Sequence, residues 1–227
     1  MHNAYGLSPA GDFYGKAHFA PKNTYGMNLL IVSASQRSPS QSSKMAAYLL
    51  AVIEQYRWFE RVEVLDLGRH PLPLWDQGVW EGDPKWQKIL PPVRRQVTEA
   101  DAYVFIIPEW NGMATPAMKN FTLFWGERET GHKPALLIGV SSEPNGQYPI
   151  ADMRAFGLKN NKWVFIPDHL VIRHVDRYFN TPGPVDEHEK FLRDRIVYSL
   201  KELHAYAELL NRFRERWVFD DRFKYAP

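Results

Sequence analysis

The residues best suited to binding chemistry in this 227-residue chain form a serine-rich stretch at positions 33–43. An apolar run at residues 28–34, typical of a buried strand, precedes it, and a segment with apolar residues at helical spacing follows it. Hydroxyl and backbone N–H groups then meet at a helix N-terminus, where the helix dipole favours an anion. Arg37 adds a planar cation that can bind phosphate at two points.

This pattern predicts a phosphate site, although an ordinary N-cap loop without a ligand is also rich in serine. The residues expected to hold the phosphate are Ser35, Arg37, Ser40, Gln41 and Ser42.

A second stretch, at residues 102–120, combines a strand, a loop and the start of a helix. Its apolar run at residues 103–107 is short and rich in β-branched and aromatic residues, as in a strand buried on both faces. Pro108 is expected to end the strand, because proline cannot donate to a sheet ladder. Residues 109–112 would form a loop, and Thr115 and Pro116 have the residue types of a helix N-cap and first position.

The alternation of strands and helices predicts the fold class. Further strands are expected at residues 61–67, 133–140 and 163–175, and helices at about 83–98, 150–159 and 186–214. Such alternation is typical of a parallel sheet with helices on both faces. We predict a three-layer α/β sandwich with a five-stranded parallel sheet of order 2-1-3-4-5. This order places strands one and three side by side and brings the two loops together at an edge where ligands bind.

Composition and charge exclude several classes of protein. The 28 Lys and Arg residues nearly balance the 26 Asp and Glu residues, so the net charge of +2 gives no support for nucleic-acid binding. The chain has no cysteine, and it lacks the GxGxxG, Walker and HExxH motifs. No apolar run approaches the roughly 20 residues of a membrane helix, and the first residues lack the apolar region of a signal peptide. We therefore expect a cytoplasmic protein without a metal site, a nucleic-acid partner or a membrane partner.

The second stretch carries a family resemblance. The sequence PEWNG at residues 108–112, followed by KN at 119–120, resembles the signature of the NADPH-dependent FMN reductase family, which is flavodoxin-like. Trp110 stands where the family has tyrosine, and the family's proline falls at the position of Thr115.

The serine-rich stretch at residues 33–43 also resembles the corresponding segment of this family. Ser35, Arg37 and Ser40 match the family's serine, arginine and serine in spacing, Ser42 stands where many members have asparagine, and Ala34 replaces a common glycine.

The resemblance implies an enzyme with bound FMN that takes hydride from NADPH or NADH and passes electrons to a flavin, quinone or similar acceptor. The backbone next to the isoalloxazine ring would come from Pro108, Glu109, Trp110, Asn111 and Gly112. Ser141 and Ser142 would reach the polar edge of the ring. The cofactor carries the chemistry in this scheme, so no catalytic side chain is assigned.

Two other functions stay open for the same residues, namely a flavodoxin-like electron carrier and a non-catalytic flavin-binding or sensing protein.

We expect an irregular N-terminal arm at residues 1–26, an FMN-binding domain at 27–216 and a C-terminal tail at 217–227. The tryptophan-rich connection at residues 70–86 suggests an interface or a site wall. With the aromatic termini, it favours a homodimer or homotetramer.

Overall fold

The computed structural model describes residues 26–156 and 159–223, so the predicted arm lies outside the described residues apart from Gly26. Its sheet has six strands in the order β2-β1-β3-β5-β6, with β4 paired to β3. The strands are β1 (Asn28–Ser33), β2 (Arg61–Asp66), β3 (Ala102–Trp110), β4 (Met113–Ala114), β5 (Pro134–Val140) and β6 (Val164–Ile172). The helices are α1 (Gln41–Tyr56), α2 (Gly78–Glu81), α3 (Pro84–Glu99), α4 (Pro116–Leu123), α5 (Glu127–Thr130), α6 (Tyr148–Phe156) and α7 (Glu187–Arg214). A short 3-10 helix covers Asp221–Phe223.

The five long strands are all parallel, and numbered by themselves they have the order 2-1-3-4-5. The predicted flavodoxin-like fold class is therefore confirmed. Alternate residues of β1 enter different layers, as the period of a strand requires. Leu29 and Ile31 pack in the core that contains residues of α1 and α7, and Leu30 and Val32 pack in the core that contains residues of α3, α4 and α6.

The prediction that Pro108 ends its strand is wrong. Pro108 pairs with Val140 of β5, and β3 continues to Trp110. The pairing of β3 with β1 ends at Ile106. The strand thus has one parallel neighbour fewer at Pro108, and a proline is tolerated where a strand has the character of an edge.

Residues 109–112 are not an open loop but part of a β-hairpin. Glu109 pairs with Ala114, and Trp110 pairs with Met113. The two residues between them, Asn111 and Gly112, have φ values of 49° and 71°. Positive φ at both central positions is what a type I′ turn needs, and Asn-Gly is its preferred sequence.

Helix α7 begins next to a buried ion pair that orders the segment before it. Arg193 donates to Glu189 Oε1 at 2.6 Å, and both side chains are buried. Glu189 also accepts the N–H groups of Phe179 and Val185, and Arg193 donates to the carbonyls of residues 181–183. The pair therefore satisfies the backbone of the connection between β6 and α7.

No helix within residues 26–156 and 159–223 combines the length and the apolar character that crossing a membrane requires.

Replacing Arg193 with methionine keeps most of the aliphatic stem but leaves the carboxylate of Glu189 without its buried partner. We expect the free energy of unfolding to fall by about 3–5 kcal/mol, measured by urea denaturation. Lys190→Ala is the control, because it breaks an exposed pair with Glu187 on the same helix and should change the same quantity by less than about 1 kcal/mol. Equal losses in the two variants would contradict this prediction.

Candidate functional site

The predicted phosphate stretch is a tight connection between β1 and α1. Ser40 is the N-cap of α1, and its Oγ accepts the N–H of Ser43 at 3.1 Å. The helix begins at Gln41, so Gln41 and Ser42, which the sequence placed in a loop, form its first turn. The first N–H groups of a helix have no acceptor within the helix, and they suit an anion.

Buried polar atoms without partners surround this helix start. Ser33 Oγ, Gln41 Oε1 and Ser42 Oγ are buried and have no hydrogen-bond partner in the part of the chain that the structure describes. Buried polar groups are nearly always paired, so these three atoms are hydrogen-bonding groups that the described part of the chain leaves unused. The two hydroxyls can donate to phosphate oxygens, and the amide oxygen can accept from a hydroxyl of the ligand. The donor set therefore fits the phosphate end of FMN.

The other two predicted phosphate residues lie earlier in the same connection. Ser35 is buried, and its Oγ accepts the N–H of Arg37 at 3.3 Å, which leaves the hydroxyl proton of Ser35 able to donate elsewhere. The side chain of Arg37 is exposed, so its guanidinium can reach an anion at the surface of the connection.

The last residue of β2 and the loop after it support the phosphate stretch from one side, which the sequence did not predict. Asp66 Oδ2 accepts the hydroxyl of Ser43 at 2.5 Å, and Asp66 Oδ1 accepts the N–H of Gly68 at 2.9 Å. A Cβ atom added at Gly68 would lie 2.5 Å from the carbonyl oxygen of Ser35. Only glycine therefore permits this approach without moving the backbone at Ser35.

The two predicted loops lie together. The N–H of Ala34 donates to the carbonyl of Ile106 at 3.0 Å, and the hydroxyl of Thr115 donates to the carbonyl of Ala34 at 2.7 Å. Thr115 is also the N-cap of α4, with Pro116 in its first turn, as the sequence predicted. The segments on both sides of the hairpin are thus bonded to the beginning of the phosphate stretch.

The turn of the hairpin is exposed, and the space around Gly112 is open. Pro108, Glu109 and Trp110 are half-buried, and Asn111 and Gly112 are exposed. A Cβ atom added at Gly112 would meet no atom within 4 Å. A flat ring could therefore approach the turn without a steric clash.

The loop after β5 contains the remaining predicted site residues. The N–H of Ser141 donates to the carbonyl of Ile172 at 3.0 Å, and its Oγ accepts the N–H of Glu143 at 3.0 Å. The hydroxyl of Ser141 thus forms a turn, and its proton and second lone pair stay available for a ligand. Ser142 is exposed, and its carbonyl oxygen lies 3.2 Å from His174 Nδ1.

Lys44 and Asn120 hold two longer segments near this edge, and sequence reasoning assigned neither role. Lys44 Nζ donates to the carbonyls of Val175 and Tyr178 at 2.6 and 2.8 Å. Burial lowers the pKa of Lys44, and Asp176 offsets part of this effect. Asn120 accepts the N–H of Trp75 and donates to the carbonyls of residues 72 and 73.

No group of three or more metal-ligating side chains occurs among the residues that the structure describes.

Solved structures of several other proteins share this fold. FerB, a flavoenzyme NAD(P)H:(acceptor) oxidoreductase from Paracoccus denitrificans, is 19% identical with a TM-score of 0.65, and the match covers 80% of this chain and 97% of FerB. An oxidoreductase from Corynebacterium diphtheriae is 14% identical with a TM-score of 0.57, covering 80% of this chain and 96% of that one. The apo form of the NADH:FMN oxidoreductase EMOB is 17% identical with a TM-score of 0.50, covering 87% of this chain and 94% of that one. At these identities the likeness concerns the fold alone.

The sequence itself matches the model of one protein family. The model is described as NADPH-dependent FMN reductase, and it matches residues 27–176. The matched region includes the phosphate stretch, the hairpin and the loop after β5. Because the match covers more than half of the chain, this protein belongs to the NADPH-dependent FMN reductase family.

Proposed function

We propose that the protein is an FMN-dependent oxidoreductase that transfers hydride from NADPH or NADH to a flavin, quinone or similar small-molecule acceptor. The observation that carries the proposal is the set of buried, unpaired polar atoms of Ser33, Gln41 and Ser42 at the start of α1, where an anion is favoured. Family membership supports the same cofactor.

The phosphate would be held by the first turn of α1 and by the connection before it. Ser35 and Ser42 would donate their hydroxyl protons, and Arg37 would add a charge-assisted hydrogen bond. Ser40 already caps Ser43 through its Oγ, so it would contribute mainly by fixing the helix start. Gln41 would contribute its N–H group and an amide that can bind a ligand hydroxyl.

The isoalloxazine ring would lie against the hairpin, next to the backbone of residues 108–112 and beside Trp110. Ser142, and Ser141 through its hydroxyl proton, would face the polar edge of the ring. Bound FMN would supply the redox chemistry, and the protein would supply position and electrostatics. We assign no acid or base among the side chains. A cytoplasmic location is part of this proposal.

The first test is the flavin itself and its reaction with nicotinamide. Heat-released cofactor should run as FMN in chromatography, and NADPH or NADH alone should bleach the bound flavin under anaerobic conditions. Protein that binds flavin without being bleached by either nicotinamide would be an electron carrier or a non-catalytic flavin-binding protein. Release of FAD as the sole flavin would contradict the phosphate site.

Kinetics test whether donor and acceptor share one site. Three loops would occupy one face and one edge of the flavin, and hydride transfer needs the reacting atoms to approach to about 3–3.5 Å. Nicotinamide and a flat acceptor should therefore bind in turn at the remaining face. We expect parallel double-reciprocal lines when the acceptor concentration is varied. Intersecting lines, together with a trapped ternary complex, would indicate two separate sites.

Gly68→Ala tests the support of the phosphate stretch. The new methyl group would force the backbone at Ser35 to move, so the FMN dissociation constant should rise. Loss of one hydrogen bond to a charged group corresponds to roughly ten- to a hundredfold in affinity. Fluorescence titration measures the constant. Gly183→Ala is the control, because a Cβ atom there meets nothing within 4 Å, and equal affinities of the two variants would refute the expectation.

We also propose a homodimer or homotetramer. Leu74, Trp80 and Leu123 are large apolar residues with exposed fractions of 77%, 74% and 62%. These residues lie around the contacts of Trp75 with Trp80 and with Asn120. Apolar surface of this kind is typical of an interaction site.

Light scattering at micromolar concentration should give a multiple of 26.5 kDa. Trp80→Glu should shift the distribution towards the single chain, because a charge at an apolar interface is costly to bury. Phe191→Glu is the control, since Phe191 is an exposed aromatic residue on α7. A wild-type protein found only as a 26.5 kDa species would rule out the assembly.

A further inference from the structure

The hairpin contains a carboxylate that is bonded to another loop. Glu109 is half-buried, and its Oε2 accepts the N–H of Gly146 at 2.6 Å. Gly146 belongs to the loop between β5 and α6, which also carries Ser141 and Ser142. One side chain therefore joins two of the loops that the proposed function places around the flavin ring.

A second hydrogen bond is made by Ala114, the residue opposite Glu109 in the hairpin. Glu109 pairs with Ala114 across the hairpin, and the N–H of Ala114 donates to Asp152 Oδ2 of α6 at 3.1 Å. Asp152 Oδ1 in turn accepts Lys119 Nζ at 2.5 Å. The hairpin is thus tethered twice to a short segment, at residue 146 and at residue 152.

The receiving loop has little room to move. Gly146 has a φ of +113°, and a Cβ atom added at Gly139 would lie 1.9 Å from the carbonyl oxygen of Gly146. Arg173 Nε donates to the carbonyl of Pro144 at 2.8 Å on another side of the loop. The bond to Glu109 therefore fixes the distance between the hairpin and a loop whose path is already restricted.

We propose that Glu109 is a positioning residue that sets the separation of these two loops and thereby their grip on the isoalloxazine ring. This inference rests on the proposed function, in which both loops contact that ring. The carboxylate acts through the Gly146 N–H, and no reaction step is assigned to it. Its effect should concern the ring of the ligand and not the phosphate.

FMN and riboflavin separate the two parts of the site, because they share the ring and only FMN has the phosphate. Glu109→Ala should weaken both ligands by the same factor, on the order of tenfold. Glu109→Gln keeps an acceptor oxygen and should restore most of this affinity. Arg37→Ala should weaken FMN alone. The matched control is Glu143→Ala, which removes an exposed carboxylate from the loop that contains Gly146.

Hydrogen exchange provides a measurement that needs neither ligand nor turnover. In the apoprotein, Glu109→Ala should speed amide exchange in the peptide that covers residues 141–147, because the Gly146 N–H loses its acceptor. Glu143→Ala should not change exchange at Gly146. Fluorescence titration with FMN and with riboflavin supplies the affinities.

Unchanged exchange at Gly146 in Glu109→Ala would overturn the proposal. Faster exchange with unchanged affinity for both flavins, or a loss confined to FMN, would overturn it as well. Wild-type protein that binds neither flavin would instead refute the proposed function and the inference that rests on it. The exchange experiment would then still report on the contact between Glu109 and Gly146, so the two failures can be told apart.

Discussion

The last residues of the β1–β3 pair determine where the candidate flavin loops lie. Ser33 is in register with Ile106, and the next residue, Ala34, still donates to the carbonyl of Ile106 at 3.0 Å. After this point β1 leads into α1, and β3 continues into the hairpin. Because the hydroxyl of Thr115 donates to Ala34, the start of α4 is fixed to the same place. A side chain at Ala34 is accommodated there in spite of the glycine that the family commonly has.

The family signature at residues 108–112 and 119–120 contains residues that support the structure as well as residues that could bind a ligand. In this chain, Glu109 is bonded to Gly146, Lys119 is paired with Asp152, and Asn120 holds residues 72–75. These three polar side chains connect the hairpin and α4 to two other parts of the chain, residues 146–152 and residues 72–75. The spacing of these three residues in the sequence therefore matches the positions of the segments that they bind. The backbone of the hairpin remains available for a ligand.

Much of the fold was predictable because it depends on local patterns. Apolar runs located the five long strands, and their alternation with helices indicated a parallel sheet covered on both faces. The order 2-1-3-4-5 is one of the common orders of such sheets. The errors came from local features read without their neighbours. The missing N–H of Pro108 does not end β3, since β1 has already ended there. The hairpin could have been recognised from Asn111-Gly112, which is a strong turn signal.

The contacts that support the site could not be predicted in the same way. Asp66 and Ser43 are far apart in sequence, as are Gly68 and Ser35, and only the folded sheet brings them together. The same applies to Lys44, whose charge suggested no partner among the carbonyls of residues 175 and 178. The residue types at the helix start were readable, but the interactions that fix their geometry are tertiary. The division into an arm, a domain and a tail stays a prediction.

The two outer strands also limit how copies of the chain can meet. In β6, the register shifts between Ala135 and Leu137 of its partner strand, and Arg154 covers carbonyls at residues 166–168. At β2, the opposite edge, Arg61 and Glu63 are engaged by Glu99 and Arg95 of α3. Irregular backbone and charged side chains are the features that prevent strands from pairing edge to edge. A sheet that continues from one copy into the next is therefore disfavoured at both ends, and helical faces and loops are the surfaces through which an assembly would form.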